Sequence, residues 1–303
     1  MKILLTGASG FIGSYFINKY TTKYKIKTFS FLKDDFSKLI LDNVDTIIHL
    51  SALVHQMDGA TEEEYESINV TPTYKLAKKA KEMGVKHFIF MSSIKVYGEE
   101  TDVPYHERSV CSPQDLYGKS KLKAEQKILL LEDERFHISI VRTPIVYGCG
   151  VKANIRNLIH LVKKVPILPF YNIQNRRSMV YVGNLCHLMD MLIGYNIKHN
   201  KVANIFLASD DEPLSTTMLI DRIAKGLNKK IYFIKIPFFE NVLRLIKPNF
   251  HKRLYESLEV DNSITKEILE LKNPYSVEDG IRCMLCDNEF INKDAKIQRT
   301  NKC

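Results

Sequence analysis

The first thirteen residues constrain this chain more than any other stretch. Residues 2–5 form a short apolar run of strand character that leads directly into Thr6-Gly7-Ala8-Ser9-Gly10-Phe11-Ile12-Gly13. Phe11, Ile12, Tyr15 and Phe16 then fall on one side of a helix-period pattern. Glycines 7, 10 and 13 thus sit between a strand and a helix, the context that gives such a motif its meaning. Glycine permits the tight turn, lets backbone N–H groups approach a diphosphate, and allows the helix to pack closely on the strand. The helix N-terminus adds favourable partial charge.

The rest of the chain repeats the alternation. Strand patterns over residues 26–31, 45–51, 87–92 and 137–142 alternate with helical patterns over 62–84 and 117–134. The strand runs are continuously apolar, as in a parallel sheet covered on both faces. The expected fold is therefore α/β, a Rossmann-type doubly wound parallel sheet with a smaller C-terminal α/β domain for the substrate. Residues 1–170 are assigned to the dinucleotide-binding domain and 171–303 mainly to the substrate domain, with 178–208 returning to the first. Beyond Gly150 the rhythm loosens: helices over 154–164 and 184–193, a proline-bearing loop over 166–175, strands over 178–182, 202–208 and 230–236, and a polar tail in the last dozen residues.

Composition narrows the class. An apolar content of 45% and a charged content of 26% over 303 residues describe an ordinary globule. No apolar run approaches a membrane span and no signal peptide precedes the first strand, so a cytoplasmic location is expected and membrane association is not. The formal charge of +9 is spread through the chain without a nucleic-acid motif, so no nucleic-acid partner is expected and an anionic small substrate fits. Cys283 and Cys286 form a C-x-x-C, but it lies in a helical stretch without a second pair, and no metal site is expected.

Two stretches carry chemistry. Tyr117 and Lys121, four apart, stack on one helix face. An ammonium beside a phenol favours the phenolate, so the pair can exchange a proton near neutral pH. Ser92 or Ser93, ending the strand over 87–92, can reach the same substrate oxygen. Ser51 and Ala52, after the strand over 45–51, are small enough to pass beneath a dinucleotide. The acid usual after the second strand is missing; Asp34 or Asp35 follows instead, which leaves NAD and NADP both open.

With these pieces in place, the chain resembles the extended short-chain dehydrogenase/reductases, and within them the bacterial sugar-nucleotide epimerases and 4-ketoreductases. The motifs are the glycine turn, His49-Leu50-Ser51-Ala52, Asn69-Val70, Ser92-Ser93-Ile94-Lys95-Val96-Tyr97-Gly98, Tyr117-Gly118-Lys119-Ser120-Lys121, Val146-Tyr147-Gly148 and Arg176-Arg177-Ser178-Met179-Val180-Tyr181-Val182. The resemblance implies that Tyr117 is the acid/base at the sugar C4 oxygen and that Ser93 shares that oxygen. Lys121 would hold the nicotinamide ribose and lower the tyrosine pKa. It implies cofactor contacts from Gly7, Ser9, Gly10, Phe11, Ile12, Gly13, Asp34, Leu50, Ser51, Ala52, Asn69 and Ser92. Arg177 and Asn154 match residues that meet the nucleotide diphosphate, Arg253 is a further phosphate candidate, and Lys95 falls near the sugar pocket.

The function implied is NAD(P)-dependent C4 redox chemistry on a nucleotide-diphosphate sugar. The leading form is a UDP-hexose or UDP-N-acetylhexosamine 4-epimerase of surface-polysaccharide synthesis, with retained NAD and a homodimeric assembly. The alternatives are a 4-reductase of a UDP-4-keto-6-deoxyhexosamine, an enzyme acting on a polyprenyl-linked sugar, and a non-catalytic dinucleotide-binding protein. Ile94 and Lys95 stand where 4,6-dehydratases carry Asp-Glu, which argues against elimination.

Overall fold

A computed structural model describes residues 1–54, 59–195 and 204–286. The chain opens with β1 (Lys2–Thr6), α1 (Phe11–Tyr20), β2 (Lys25–Phe29) and β3 (Thr46–His49). α2 (Glu62–Tyr65), a π-turn over Glu66–Val70 and α3 (Thr71–Glu82) follow, then β4 (His87–Ser93), α4 (Leu116–Leu129) and β5 (His137–Thr143). Next come β6 (Ile145–Tyr147), α5 (Ala153–Lys164), β7 (Ile167–Leu168), β8 (Met179–Tyr181), α6 (Val182–Gly194) and β9 (Ile205–Leu207). The chain closes with α7 (Thr216–Gly226), β10 (Tyr232–Phe233), α8 (Phe239–Ile246), α9 (Pro248–Tyr255), α10 (Ser263–Leu269) and α11 (Val277–Leu285).

Two units divide these elements. The first comprises Met1–Pro144, Asn184–Ser209 and Val260–Lys272; the second comprises Ile145–Gly183, Asp210–Glu259 and the chain from Asn273 onward. The return of residues 260–272 to the first unit is absent from the sequence reading. Its cause is specific: Val260 bridges Tyr105, and Thr265 joins three separate stretches. The Thr265 hydroxyl and backbone N–H both donate to Glu107, at 2.6 and 3.0 Å, and the same hydroxyl accepts the Leu207 N–H at 2.8 Å.

Among the described residues, the first unit holds a six-stranded parallel sheet in the order β2-β1-β3-β4-β5-β9. This is a Rossmann-type doubly wound sheet. Strands β3 and β4 are buried along their whole length, as their unbroken apolar runs require. β2, at the edge, buries only Phe29, with Ile26 half-buried and Lys25, Lys27 and Thr28 exposed. On one face, Leu4, Ile47, Phe88 and Ile138 pack with Leu76, Ala77 and Ala80 of α3 and Ala124 and Ile128 of α4. Ile3 and Leu5 point the other way and are buried too, so neither face meets water. Strand order reverses beside β1, and such switch points open a crevice at the carboxyl ends of the strands.

In the second unit β6 pairs with β8 and β7 with β10, both in parallel. The long strand expected over 230–236 shrinks to Tyr232–Phe233, because its partner β7 offers only Ile167–Leu168 to pair with; the unpaired run beyond ends at Pro237 and the left-handed Phe238. The helix expected over 62–84 is interrupted by the π-turn that contains Asn69. The polar tail expected over the last dozen residues lies outside the described residues. No helix among the described residues is long and apolar enough to cross a membrane, and among them no cluster of His, Cys, Asp or Glu is arranged to hold a metal ion.

Candidate active site

The glycine turn lies at the switch point. Gly7 has a φ of +71°, and a Cβ there would stand 2.9 Å from the backbone of Leu50 and Ser51, which continue β3. A Cβ at Gly13 would stand 2.3 Å from the Gly7 carbonyl oxygen, so α1 and the turn after β1 touch through bare backbone. Gly10 caps α1 without a side-chain bond, and the first turn of α1 carries no acid. Its first N–H groups therefore carry no side-chain cap and stand at the positive end of the helix dipole, which suits a diphosphate. The cradle fits a dinucleotide on these grounds. Asp34 closes the turn after β2, its carboxylate accepting the Ser30 N–H at 2.8 Å; Asp35 caps the short helical turn Phe36–Lys38.

Behind the crevice runs a one-way chain of hydrogen bonds. The Thr73 hydroxyl donates to the Asn69 carbonyl at 2.6 Å, so it must accept from His49 Nε2 at 2.8 Å. His49 Nδ1 is then the acceptor of the Thr6 hydroxyl at 2.7 Å, and Thr6 Oγ1 in turn accepts the Ser51 N–H at 3.2 Å. Burial pushes the His49 imidazole down to about 3, with the Lys121 charge adding to it, so the ring is neutral as the chain of bonds demands. Asn69 grips Leu53 through both its N–H (2.7 Å) and its carbonyl (3.0 Å), and donates to Ser120 of α4 at 3.0 Å. Ser120 passes its own proton to the Tyr117 carbonyl at 2.8 Å. Residues 50–53 and the helix bearing Tyr117 are thereby held in one buried network, and Asn69 acts on backbone and Ser120.

Ser93, Tyr117 and Lys121 converge at the carboxyl end of β4. The Ser93 hydroxyl lies near enough to the Tyr117 phenol to favour its ionised form, and its oxygen accepts the Lys95 N–H at 3.3 Å. Lys121 donates to the Met91 carbonyl at 2.7 Å and lies 4.7 Å from the Phe90 ring centroid and 5.9 Å from that of Tyr117. The expectation that Lys121 lowers the tyrosine pKa is not met here. Burial pushes the phenol well above its ordinary range, the charges of Asp115 and Tyr65 push the same way, and the nearby Ser93 hydroxyl only partly opposes them. Lys121 itself is driven down to about 7 by burial, with Glu125 opposing. Near neutral pH the lysine is thus part charged and part free base, and the phenol keeps its proton.

Strand alternation separates the two serines. Ser93 meets Tyr117, whereas Ser92 donates its hydroxyl to Glu125. Glu125 is gripped by Arg142 of β5 at 2.6 and 3.1 Å, and the guanidinium lies 4.6 Å from the Tyr97 ring centroid. This fully buried pair was not foreseen; its signal was an acid one turn beyond Lys121. Lys95 bonds Glu99 at 3.1 Å and also Asp115, and Asp115 caps α4 through the Gly118 N–H at 2.7 Å. A Cβ at Gly118 would stand 2.6 Å from the Lys95 carbonyl oxygen, so the turn after β4 rests on the first turn of α4. Lys95 therefore orients the helix that carries Tyr117.

Asn154, Arg177 and Arg253 all belong to the second unit. Asn154 is exposed in the first turn of α5. Arg177 bridges Leu214 and Leu258 through its backbone and donates from Nη1 to the Glu256 carbonyl at 2.9 Å. Its neighbour Arg176 turns outward into a two-pronged pair with Glu259 at 2.6 and 2.8 Å. Arg253, half-buried, lies in the last turn of α9.

Comparison with known proteins agrees with this construction. UDP-glucose 4-epimerase of Vibrio cholerae is 37% identical, with 93% of each chain covered. An Escherichia coli O157:H7 protein named N-acetyl-alpha-D-glucosaminyl-diphospho-ditrans,octacis-undecaprenol 4-epimerase is 27% identical over 78% of this chain and 76% of its own. Among solved structures, UDP-glucuronic acid 4-epimerase from Bacillus cereus in complex with NAD superposes with a TM-score of 0.74 over 97% of this chain and 99% of its own, at 21% identity, a likeness of fold. The model of the NAD dependent epimerase/dehydratase family matches residues 3–205, two thirds of the chain and the whole stretch that builds the glycine turn, Ser93, Tyr117 and Lys121. The chain is a member of that NAD-dependent epimerase/dehydratase family.

Proposed function

We propose that this protein is a UDP-sugar 4-epimerase. The observation that carries the reading is the convergence of Ser93, at the carboxyl end of β4, with Tyr117 and, one turn on, Lys121 of α4, in the sheet whose first turn is the glycine turn. The turn of Gly7, Gly10 and Gly13 and the first N–H groups of α1 would hold NAD, which would supply a reversible hydride acceptor for C4. Tyr117 Oη exchanges a proton with the C4 oxygen: its phenolate, which burial disfavours and a charged Lys121 beside the ring favours, takes the C4 hydroxyl proton, and the phenol so formed returns it to the C4 oxygen of the epimer. Ser93 Oγ bonds that same oxygen and fixes it against the phenol. Lys121, close to its own pKa, keeps the charge around the phenol adjustable as the proton moves. Ser9, Phe11, Ile12, Leu50, Ser51 and Ala52 border the cofactor in this reading, Asn69 holds the backbone of that border, and Arg177 with Asn154 or Arg253 meets the substrate diphosphate.

A cytoplasmic homodimer acting on precursors of surface polysaccharide is the finer form of the same proposal. The test is to incubate purified protein with UDP-glucose, UDP-N-acetylglucosamine and a polyprenyl-diphosphate N-acetylglucosamine, and to resolve the C4 epimers by NMR. Interconversion without net consumption of nicotinamide supports the reading. Stoichiometric oxidation of added NAD(P)H by a 4-keto sugar, with no interconversion, refutes it in favour of a reductase.

A further inference from the structure

Residues 229–253 of the second unit carry seven Lys or Arg and one acid, Glu240, a net +6 out of the chain's +9. The same stretch exposes much of the unit's apolar surface. Tyr232, Ile234 and Ile236 alternate outward along the extended run through β10. α8 follows, and none of its residues is buried. At about 100° per residue its apolar side chains span a broad arc from Leu245 round to Leu243, opposite Glu240 and Arg244. Phe239 takes one side of that arc inward, its ring 6.3 Å from that of Phe170. The other side remains bare: Leu245 is 85% and Ile246 69% exposed. Phe238, at the N-cap of α8, has a φ of +60°, a conformation bulky residues rarely adopt, and stands 77% exposed.

We propose that this surface docks on an anionic lipid bilayer, with α8 lying in the plane of the headgroups. A short helix with bulky aliphatic and aromatic side chains on one side, flanked by lysines and arginines, matches interfacial helices. Eight residues reach only about 12 Å, so the helix lies on a membrane and does not cross it. A second copy of this chain is the less suitable occupant, because two patches of the same positive sign would be brought together. The inference stands apart from the proposed reaction.

The test is sedimentation of the full-length protein with vesicles of phosphatidylcholine alone or mixed with phosphatidylglycerol, at low and high salt. Binding should require phosphatidylglycerol and weaken with salt. Lys235→Gln and Lys247→Gln should each lower partitioning about fivefold, and Leu245→Glu should lower it about tenfold or more. All three variants should keep the wild-type melting temperature and turnover of soluble UDP-sugar. Failure to bind the anionic vesicles, or binding untouched by Leu245→Glu, overturns the proposal. So does self-association of the wild type, by light scattering, that Leu245→Glu abolishes; the surface then belongs to a second copy. Because the readout is lipid binding, its failure leaves the reading of the active site intact.

Discussion

Lys121→Met should make the protein more stable at neutral pH while crippling it. The lysine is 3% exposed, and burial holds its ammonium at about 7 against an ordinary 10.5. A lysine whose folded pKa lies below its unfolded one burdens the fold whenever it is charged. That burden is full below pH 7, shrinks as the pH rises toward 10.5, and is gone above it. At about 1.36 kcal/mol per pH unit, the gap between the two values sets a ceiling of about 5 kcal/mol, of which about 2.5 kcal/mol disappears between pH 6 and pH 9. Methionine removes the charge and leaves the Met91 carbonyl without its donor, which costs back about 1–2 kcal/mol. The variant should therefore exceed the wild type by about 3 kcal/mol at pH 6, with the advantage fading as the pH approaches 10. Urea melts followed by circular dichroism, on protein freed of nucleotide and at constant ionic strength, give the difference directly. Two stability curves that run parallel from pH 6 to pH 9 would refute the reasoning, since other titrating groups are common to both proteins.

The remaining predictions concern residues of the same unit. Tyr117→Phe should cut UDP-sugar turnover by about two to four orders of magnitude, with NAD still bound by fluorescence titration; near-normal turnover would remove Tyr117 from the chemistry. Gly13→Ala should weaken NAD binding and destabilise the fold by about 1–3 kcal/mol in urea melts, because the new methyl would meet unyielding backbone: the Gly7 carbonyl oxygen at 2.3 Å, the Ala8 Cα at 2.9 Å and the Gly7 carbonyl carbon at 3.0 Å. A variant with unchanged affinity and stability would contradict that packing. Glu125→Gln should cost about 3–5 kcal/mol by leaving Arg142 buried without its partner. A loss below 1 kcal/mol in the same melts would mean that the pair is not closed as described.

The sheet was legible because its strands are uninterrupted apolar runs and its first turn needs three glycines at fixed spacing. That Tyr117 and Lys121 share a helix face was legible from periodicity, and that Ser92 and Ser93 end β4 from its apolar run, but the choice between the serines came from the family resemblance. Periodicity says nothing, however, about which side chains satisfy one another in the interior. Asn69 stands out in the sequence without showing that it grips Leu53 and Ser120, and Ser92 and Ser93 differ only by the face that alternation gives them. The pKa argument failed for a related reason: spacing places a lysine beside a phenol, but only burial decides whether its charge survives. The short helices after residue 210 were the least legible, since α8 and α9 lack a long stripe, and the π-turn in the helix around Asn69 has no sequence signature.

One buried hydroxyl ties the timing of folding to the length of the chain. Thr265 accepts from Leu207 and donates to Glu107, so the dinucleotide-binding unit is stitched from stretches emerging early, midway and late in synthesis. A ribosome that has delivered all of β1 to β5 has not yet delivered the edge strand, nor the threonine that anchors it. Nascent chains halted before residue 265 should thus expose an unfinished sheet border to chaperones, and the N-terminal half expressed by itself should aggregate instead of binding nucleotide.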